Sequence, residues 1–499
     1  MRIRRLLIAN RGEIARRIIR ACRELDIETV AVYSDADAGA PHVSEADRSV
    51  RIGAAPARDS YLNIDAIIAA AQLSKADAVH PGYGFLSERA PFVRACENAG
   101  LIFVGPPASA LEKMGSKTGA RALMTAAGVP VVPGETPTDQ SDDALGAAAE
   151  RIGLPVLIKP AAGGGGIGMK AVREPAALGE ALAAARREAR ASFGNDSLYV
   201  ERLIEKPRHV EIQVFADAHG NTVHIFEREC SAQRRHQKVI EESPCLALSA
   251  AVRERMGAAA IAAAKAVGYR NAGTCEFLLD GSGDAANFYF LEMNTRLQVE
   301  HPVTECVTGI DLVHAQLRVA SGEPLPFTQA SLSQRGHAIE CRIYAEDPAQ
   351  GFIPQAGPIL LYREPQGPGI RVDSGVKAGS EVSVHYDPML AKLIVHASNR
   401  EEARRRAINA LREYAVLGIR TNIPFLLQIL EHPQFVGAAI DTGFLDREGS
   451  SLATAIPAAL PPQVLSAVST LRTPGVSHSP SRERTESLDP FELLRGWRG

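Results

Sequence analysis

Residues 275–279 and 288–294 predict the two strands of a β-hairpin around a polar loop that contains glycine. Centring the turn in that loop places Glu276 across from Glu292, and the two-residue period of a strand places Asn294 on the face of Glu292. Facing carboxylates repel unless a cation lies between them, and oxygen ligands suit Mg²⁺ that bridges nucleotide phosphates. The apolar residues before Glu292 disfavour the alternative, a solvated strand end. We therefore predict a metal site here.

Polar side chains continue beyond this hairpin at every second residue, as Arg296, Gln298 and Glu300, before His301 and Pro302 end the run. A guanidinium can hold a planar, carboxylate-like anion through two hydrogen bonds, and a neighbouring carboxylate can act as a base. The residue types therefore fit an anion site with its own base. A plain salt bridge between Arg296 and Glu300 fits them equally well, and both interpretations stay open at this point.

A glycine-rich segment and a basic run are candidates for phosphate contacts. Lys159 ends an apolar stretch that predicts a strand, and Gly-Gly-Gly-Gly-Ile-Gly follows at 163–168. Glycine lets the backbone approach a phosphate closely, and a lysine supplies the charge. The segment is not a Walker A loop, but phosphate binding is favoured over a plain surface loop. In the run 233–238, His236 and Lys238 would share a strand face, although alone this run indicates a charged surface.

The segment Asn-Arg-Gly-Glu at 10–13 lies between a predicted strand and a predicted helix. A turn there could hold an anion at the helix N-terminus. A tight turn with Glu13 at the positive end of the helix dipole is at least as good an interpretation. Because the G-x-G-x-x-G glycines are missing, dinucleotide binding is a weak hypothesis.

The bulk properties exclude several classes of protein. The 499 residues carry 55 lysines and arginines against 58 aspartates and glutamates, a formal net charge of −3. Nothing in that balance points to nucleic acid. No apolar run reaches the roughly 18 residues of a transmembrane helix, and the apolar stretch at the start is too short for a signal peptide. The seven cysteines are scattered without a Cys-x-x-Cys pair, which fits a reducing cytoplasm better than a disulfide or zinc protein.

The order of predicted elements indicates a mixed α/β fold in several parts. Strands at 5–9, 29–33, 78–80 and 102–104 alternate with helices at 13–25, 63–73 and 88–99. This alternation predicts a doubly wound α/β domain with a parallel sheet. Residues 130–205 form a small module, with a helix at 175–192 and a strand at 197–201, which suits a mobile lid over a ligand.

Strands dominate residues 208–300 and the region after 336, which also has a helix at 400–414. We therefore expect the C-terminal domain to be mostly β. Residues 447–499 are rich in Ala, Pro, Ser and Thr with little periodicity, which predicts a linker or disordered tail.

Several long motifs, in order along the chain, resemble those of one family. Glu-Met-Asn-Thr-Arg-Leu-Gln-Val-Glu-His-Pro-Val-Thr-Glu at 292–305 is similar to the signature of biotin carboxylases, a branch of the ATP-grasp ligases. The same holds for His-Pro-Gly-Tyr-Gly-Phe-Leu-Ser-Glu at 80–88, Ile-Ala-Asn-Arg-Gly-Glu-Ile at 8–14, and the runs 208–213, 233–238 and 337–342. The resemblance covers residues 3–446, and the co-occurrence of such long motifs is highly specific. It implies an N-terminal α/β domain at 1–115, an ATP-grasp domain at 116–330 with its lid at about 130–205, and a C-terminal domain at 336–446.

The resemblance also implies roles for the matching residues. The positions that resemble ATP contacts are Lys117, Lys159, Gly163, Gly164, Gly165, Gly166, Glu201, Arg202, Leu203, Ile204, His209, Gln233, His236, Glu276 and Glu292. Two Mg²⁺ or Mn²⁺ ions would be held by Glu276, Glu292 and Asn294. Bicarbonate would contact Lys238, Arg296, Gln298, Val299 and Glu300, and Arg342 would stabilise the enolate form of biotin. The catalytic residues implied are Glu300, Arg296, Arg342 and Lys238.

The implied reaction has two stages. Glu300 deprotonates bicarbonate, which attacks the γ-phosphate of MgATP to give carboxyphosphate. This intermediate releases CO₂ beside the biotin ring, and the leaving phosphate takes the N1 proton of biotin. The residue types agree with this scheme, since it needs positive charge at transferring phosphoryl oxygens, a carboxylate base and an arginine at a developing oxyanion. A closing lid would shield the labile intermediate from water.

Three positions depart from the family pattern. Ile167 stands where members usually carry Arg or Lys, so contacts of the lid to phosphate are expected to be weaker. Ser116 stands where an acidic residue is common, and Arg202 stands where Lys is common. None of the three removes a residue that the chemistry requires.

Biotin would come from elsewhere, because no lysine lies in a Met-Lys-Met setting. We expect a biotin carrier, supplied by another chain or by a further C-terminal part whose start residues 489–498 faintly resemble. We also expect a carboxyltransferase subunit, which selects acetyl-, propionyl- or methylcrotonyl-CoA, and a homodimer, with neither nucleic acid nor membrane as partner. The reaction would be the first half-reaction of acetyl-CoA carboxylase in fatty acid biosynthesis or of a related carboxylase.

Four alternatives remain, the last of which is a catalytically inactive scaffold, although no predicted active residue is missing. One is the α-subunit fragment of a propionyl- or methylcrotonyl-CoA carboxylase. Another is a different ATP-grasp carboxylating ligase, which Arg342 and the segment 296–300 disfavour. The third, a dinucleotide-binding regulator, would leave the carboxylates of the hairpin unexplained.

Overall fold

The computed structural model describes residues 2–161 and 168–454, apart from the side chain of Lys117. The side chain of Lys117, the four candidate glycines Gly163, Gly164, Gly165 and Gly166, and Ile167 therefore lie outside the described part of the chain. So do residues 455–499, which make up most of the predicted tail.

A parallel sheet occupies the N-terminal region, in the strand order β3-β2-β1-β4-β5. Its strands are β1 (Arg5–Ile8), β2 (Glu28–Ser34), β3 (Arg48–Gly53), β4 (Ala78–His80) and β5 (Ile102–Phe103). The helices are α1 (Gly12–Glu24), α2 (Pro41–Glu45), α3 (Ile64–Ser74), α4 (Ala90–Asn98) and α5 (Ala108–Met114). Leu6 and Ile8 share a core with α1, whereas Leu7 and Ala9 share another core with α3 and α4. Helices therefore cover both faces, and the predicted doubly wound fold is confirmed.

The strand β3 was not predicted from the sequence. It lies at the edge of the sheet and pairs only with β2 among the described residues. Three of its six residues are exposed, and two of the six are arginines. An edge strand of this kind lacks the continuous apolar run that marks a buried parallel strand.

A four-stranded antiparallel sheet forms a separate small module, in the order β6-β9-β7-β8. Its strands are β6 (Gly134–Glu135), β7 (Val156–Pro160), β8 (Lys170–Val172) and β9 (Leu198–Arg202). The helix α6 (Lys117–Ala126) precedes it, and α7 (Asp142–Ile152) and α8 (Leu178–Phe193) cover it. The apolar side chains of α7, α8 and the sheet form a core of their own. We call this unit the 130–205 module.

The largest sheet, which we call the central sheet, has eight antiparallel strands in the order β14-β13-β10-β11-β12-β15-β22-β20. Those before residue 300 are β10 (Arg208–Ala216), β11 (Thr222–Arg234), β12 (Gln237–Ser243), β13 (Asn271–Asp280) and β14 (Asn287–Asn294). The helices of this part are α9 (Ala250–Val267), α10 (His301–Thr308) and α11 (Leu312–Ala320). Because β12 pairs with β15, the sheet runs without a break across the boundary that we placed at 330–336.

The C-terminal region completes the central sheet and adds three small two-stranded sheets. Its strands are β15 (His337–Tyr344), β16 (Glu346–Asp347), β17 (Ile353–Pro354), β18 (Gly357–Pro358), β19 (Leu361–Arg363), β20 (Ile370–Ser374), β21 (Glu381–Val382), β22 (Met389–Ala397) and β23 (Ala415–Leu417). Its helices are α12 (Arg400–Glu413), α13 (Ile423–Glu431), α14 (Pro433–Val436) and α15 (Phe444–Thr454). The predicted mixed α/β fold class is confirmed. The sheets after the N-terminal domain are antiparallel, and the C-terminal region, which we expected to be mostly β, also holds the helices α12 to α15.

Two helices differ from the sequence predictions. The strand-rich interpretation of 208–300 missed α9, which begins at the side-chain cap of Ser249 and ends at Gly268 in a left-handed conformation. The linker predicted from residue 447 begins too early, because α15 continues through Thr454. Leu452 and Ala453 belong to the C-terminal core. Their burial keeps the end of α15 folded, although the composition of this segment alone favours a linker. Among the described residues, the structure has no helix that is long and apolar enough to span a membrane.

Candidate active site

The hairpin of β13 and β14 brings the two predicted carboxylates together. Glu276 pairs directly with Glu292, and Thr274 pairs with Asn294. Nearer the turn the register shifts by one residue, so that Phe277 faces Phe290. This irregularity turns the apolar end of β14 toward the core and leaves the carboxylate pair at the site.

Lys238 on β12 is the centre of a group of buried carboxylates. Its ammonium lies 2.5 Å from Glu211, 2.7 Å from Glu276 and 2.6 Å from Glu300. Glu211 and Glu276 face each other on β10 and β13, and Glu300 stands immediately before α10. Strand register therefore assembles the cluster from residues that are far apart in the sequence.

The mutual contacts of these groups set their ionisation. Burial alone would favour neutral groups, yet the three carboxylates hold the pKa of Lys238 well above its ordinary value. Burial also opposes ionisation of Glu300, but Lys238, Arg342 and Arg228 hold the pKa of Glu300 well below its ordinary value. For Glu211, burial and the nearby charge of Glu300 raise the pKa. Glu300 is therefore ionised and strongly stabilised in this state.

Arg228 on β11 anchors the cluster from within the sheet. Its side chain is fully buried, and Nε donates to Glu211 at 2.5 Å. The remaining donors reach Gln213 and Thr304, each at 2.9 Å, and Thr274 at 3.1 Å. With one oxygen on Arg228 and the other on Lys238, the carboxylate of Glu211 has a fixed orientation.

Arg342 on β15 reaches the same cluster from the opposite side of Glu300. It donates to Glu241 at 2.5 Å and to the second oxygen of Glu300 at 3.0 Å. Burial, reinforced by the charge of Glu300, raises the pKa of Glu241 to about 7, although Arg342 lowers it. Glu300 thus lies between one lysine and one arginine, each bound to a different carboxylate oxygen.

Arg296 contacts three other polar side chains. Its guanidinium lies 3.0 Å from Glu88, 2.6 Å from the side-chain oxygen of Gln298 and 3.0 Å from that of Asn294. The alternative of a plain Arg296–Glu300 bridge is wrong, because each residue has different partners. Glu88 comes from the N-terminal domain, so Arg296 links that domain to the hairpin.

Four charged residues of this network were not assigned a role from the sequence: Glu88, Glu211, Arg228 and Glu241. Glu88 and Glu211 lie in motifs that carried the family resemblance, at 80–88 and 208–213. The position of each in a shared motif was a usable signal. Arg228 gave none, because an arginine in a strand is ordinarily exposed.

The predicted nucleotide contacts form a second group. Lys159 on β7 forms an ion pair with Glu201 on β9, and both side chains are buried. Nε2 of His209 lies 3.0 Å from Glu276, and the charge of Glu276 raises the pKa of His209 although burial lowers it. Gln233 is buried and directly faces Lys238 across the β11–β12 pair. His209 and Gln233 therefore lie beside Glu276 and Lys238, whereas Lys159 pairs with Glu201 in the 130–205 module.

The peptide after β9 connects the 130–205 module to the central sheet. The N–H of Arg202 donates to Pro133 O at 2.8 Å, and that of Leu203 donates to Pro155 O at 2.9 Å. Ile204 is buried. The side chain of Arg202, which departs from the family pattern, donates to the hydroxyl of Tyr289 at 2.8 Å. Backbone hydrogen bonds to Pro133 and Pro155 and the side-chain hydrogen bond to Tyr289 therefore hold Arg202 and Leu203 in place.

One position, His236, differs from its sequence prediction. His236 does not share a strand face with Lys238, because it lies in the two-residue turn between β11 and β12. Arg235 and His236 both have positive φ values, of 49° and 64°, as the primed hairpin turns require. Ser116, the second departure from the family pattern, caps α6 by accepting a hydrogen bond from the N–H of Gly119 at 3.2 Å.

The donor set of the hairpin fits a hard divalent cation. Glu276 and Glu292 supply carboxylates on paired strands, and the side-chain oxygen of Asn294 lies on the same edge. Oxygen-only ligands of this kind suit Mg²⁺ or Mn²⁺ together with phosphate oxygens. The nearby His209, Glu211 and Glu276 also have ligand atoms within 4.8 Å of one another.

Comparison with known proteins places this geometry in a family. Residues 2–111 match the biotin carboxylase N-terminal domain, residues 116–328 match the ATP-binding domain of the carbamoyl-phosphate synthase L chain, and residues 340–447 match the biotin carboxylase C-terminal domain. Biotin carboxylase 1 of Bacillus subtilis is 51% identical over 444 residues, which cover 89% of this chain and 98% of that protein. The chain belongs to the biotin carboxylase family.

Two further relatives extend this finding. The biotin carboxylase domain of Hydrogenobacter thermophilus 2-oxoglutarate carboxylase, a dimer solved with MgADP, ADP and bicarbonate, superposes with a TM-score of 0.85 at 44% identity, covering 91% of this chain and 99% of that one. The mitochondrial methylcrotonoyl-CoA carboxylase subunit alpha of Rattus norvegicus is 51% identical over 451 residues. Those residues are 90% of this chain and 63% of the rat protein. The chain thus spans less than two thirds of the length of that larger relative.

Proposed function

We propose that this chain carboxylates the biotin of a carrier protein with bicarbonate and ATP. The observation that carries the proposal is the placement of Glu300 between Lys238 and Arg342, next to the paired carboxylates Glu276 and Glu292. This arrangement offers a base, two cations for an anionic substrate and a metal site within one connected network. Family membership and the solved relative with MgADP and bicarbonate support the same assignment.

In the proposed reaction, bicarbonate binds beside Lys238 and Arg296, and Glu300 takes its proton. The freed oxygen attacks the γ-phosphorus of ATP, ADP leaves and carboxyphosphate forms. Carboxyphosphate then breaks into CO₂ and phosphate, the phosphate accepts the N1 proton of biotin, and N1 attacks CO₂. Arg342 stabilises the negative charge that develops on the ureido oxygen of biotin. Glu300 then releases to solvent the proton that it took from bicarbonate, which restores the base for the next turnover.

The low pKa of Glu300 makes its strength as a base depend on whether the substrate is bound. A carboxylate whose pKa lies well below its ordinary value is always ionised but is a weak base. When an anionic substrate binds beside Lys238 and Arg296, it shares their positive charge, and the pKa of Glu300 rises toward that of its proton donor. We therefore infer that substrate binding itself activates the base.

The metal and nucleotide sites are part of the same proposal. Glu276, Glu292 and Asn294 would hold Mg²⁺ or Mn²⁺, which supplies positive charge to the transferring phosphoryl oxygens. Lys159 and Glu201 lie where the 130–205 module would cover the nucleotide, together with Leu203 and Ile204. Gln233, His209 and Lys238 would face the phosphates from the central sheet.

We further propose that a biotin carrier and a carboxyltransferase act with this chain. The chain is 51% identical both to a free-standing bacterial biotin carboxylase and to a methylcrotonoyl-CoA carboxylase subunit. The methylcrotonoyl-CoA carboxylase relative supports an acyl-CoA carboxylase context, in which the carboxyltransferase selects acetyl-CoA or a branched acyl-CoA. Mixing the chain with each type of carboxyltransferase and measuring carboxylated acyl-CoA tests which system it serves.

The central experiment measures ATP hydrolysis with free biotin, with and without bicarbonate. Wild-type protein is expected to hydrolyse ATP only when bicarbonate is present, and Glu300→Gln is expected to lose about 10²–10⁴-fold of that rate, the usual contribution of a general base. Glu227→Gln is a matched control. Glu227 is also a fully buried glutamate of the central sheet, but its partner is Arg253 on α9.

The control is expected to keep the bicarbonate-dependent rate within about threefold of wild type, because it changes no group of the cluster. Turnover of ATP on another acceptor without biotin would overturn the proposed function. Equal losses in the two glutamine variants would remove Glu300 from the role of base.

A further inference from the structure

Lys392 is a fully buried cation in the middle of β22, outside every motif that the sequence singled out. Its ammonium donates to the carbonyl oxygen of Val299 at 2.8 Å. It also lies 3.3 Å from a carboxylate oxygen of Glu13 and 4.0 Å from Asp373. A buried lysine is rare and costly unless its donors are satisfied, so these partners define what the residue does.

The Val299 carbonyl belongs to the peptide that leads directly into Glu300. This segment follows the end of β14 and precedes α10, and residues 295–300 are neither helix nor strand. A neighbouring peptide is fixed in the same manner, since Nδ1 of the buried His301 donates to Gln298 O at 2.8 Å. Two side chains therefore take over the orienting role that ladder hydrogen bonds have in a strand.

The other end of Lys392 connects to the N-terminal domain. Glu13 is buried near the start of α1, and its second carboxylate oxygen accepts a hydrogen bond from the hydroxyl of Tyr83. The backbones approach closely here, because a Cβ on Gly375 would lie 2.9 Å from the N of Glu13. Lys392 thus joins three parts of the molecule: β22, the peptide before Glu300 and the N-terminal domain.

We propose that Lys392 is a positioning residue for bicarbonate, which acts by holding the Val299–Glu300 peptide. This inference rests on the proposed function and deepens it. Orientation of that peptide sets where Glu300 points relative to Lys238 and Arg342. Loss of the Val299 contact lets the segment rotate, so the substrate that is bound by residues 296–300 is affected first.

Charge neutralisation alone does not account for the residue. Asp373 already has two other cations, with Arg371 at 2.7 Å and Arg20 at 3.0 Å. Lys392 is therefore not needed to balance Asp373. Glu13 is the one carboxylate that depends on it among the described ion pairs, and a double variant can remove that dependence.

The test compares Lys392→Met with the double variant Glu13→Gln, Lys392→Met in bicarbonate-dependent ATP hydrolysis. The single variant is expected to raise KM for bicarbonate about tenfold, the equivalent of one lost buried hydrogen bond. KM for MgATP should stay within about twofold. The double variant removes the unpaired carboxylate, so it should recover thermal stability while the raised KM for bicarbonate persists.

Arg400→Met is the matched control. Arg400 is also a buried cation of the C-terminal region, and it binds Glu242 at 2.6 Å and Phe435 O at 2.8 Å. It contacts no residue of the segment 296–300 among its described partners. Its loss should lower stability without a selective change in KM for bicarbonate.

Three outcomes would overturn the inference. One is an unchanged KM for bicarbonate in Lys392→Met, and another is a parallel rise of KM for bicarbonate and of KM for MgATP. The third is failure of both Lys392 variants to fold, which would make the residue a requirement of the fold itself. If wild-type protein shows no bicarbonate-dependent hydrolysis, the proposed function fails instead, so the two failures are distinguishable.

Discussion

The 130–205 module and the central sheet use ion pairs in opposite ways. In the module the pairs lie at the surface: in Arg151–Glu135 the side chains are 57% and 39% exposed, and in Arg190–Asp196 they are 75% and 36% exposed. In the central sheet, both side chains of Arg228–Glu211 are fully buried. Lys159–Glu201 is the buried exception within the described part of the module, and it lies on strands that we assign to the nucleotide side.

This difference indicates where charge serves function. Exposed pairs contribute little because water screens them and because two long side chains must be ordered. Buried pairs are costly to form and costly to break, so a fold keeps them where a specific arrangement of charge is needed. In this protein one set of buried pairs, which includes Arg228–Glu211, Lys238–Glu300 and Arg342–Glu300, meets around Glu300 and Lys238, whereas the surface pairs of the module lie elsewhere.

The largest effect is expected for Arg228→Met. Removing a buried cation leaves the carboxylate of Glu211 without half of its contacts, which typically costs about 3–5 kcal/mol in free energy of unfolding. Urea denaturation measures this loss. The double variant Arg228→Met, Glu211→Gln should regain part of it, and a loss below about 1 kcal/mol in the single variant would contradict the contrast between the two regions.

A pH-dependent effect follows from Glu242, which lies on β12 and binds His337 at 2.8 Å and Arg400 at 2.6 Å. Burial alone would raise the pKa of Glu242, but these partners lower it to about 2. A carboxyl group with a lowered pKa in the folded state stabilises the protein above its ordinary value of 4.5, and this contribution is lost as the pH falls from 4.5 toward 2.

Unfolding free energies of wild type and Glu242→Gln therefore should differ most near neutral pH and converge on acidification. Urea titrations at pH 7, 4.5 and 3.5 measure the difference. A gap that stays constant over this range would show that ionisation of Glu242 does not contribute as the structure indicates.

A smaller and more selective effect is expected for Lys159→Met. The variant removes the cation that we assign to the nucleotide, so KM for ATP should rise about tenfold, corresponding to ~1.4 kcal/mol. KM for bicarbonate should stay within about twofold. Initial-rate kinetics with each substrate varied in turn separate the two KM values. Equal changes in both would mean that the Lys159–Glu201 pair has no selective role in nucleotide binding.

The smallest effect is expected for Arg151→Ala. Its pair with Glu135 is exposed to solvent on both sides, so the urea midpoint and the catalytic constants should match wild type within experimental error. A clear shift in the midpoint would mean that surface pairs hold the module together, contrary to the contrast drawn above.

The hairpin shows what could be predicted from sequence. Alternation and a polar loop predicted the pairing of Glu276 with Glu292. The register at the turn would instead place Leu291 opposite Glu276, and one extra residue in β14 restores the predicted pair. The same reasoning missed the register shift near Phe277 and placed His236 on a strand. The first error arises from one extra residue in a strand, and the second arises from a two-residue turn. Each changes the side to which the side chains point, and the amino-acid composition does not reveal it.

The sequence by itself determined the family and the doubly wound N-terminal domain, because long motifs and local periodicity are encoded in contiguous residues. It also predicted the residues that we propose bear the chemistry. Tertiary structure decided which charges meet. Arg228, Glu88 and Lys392 reach the site from separate elements, and their roles depend on strand order and on burial. Only the folded chain brings such residues within hydrogen-bond distance, since the cost of burying a charge is met by partners far away in sequence.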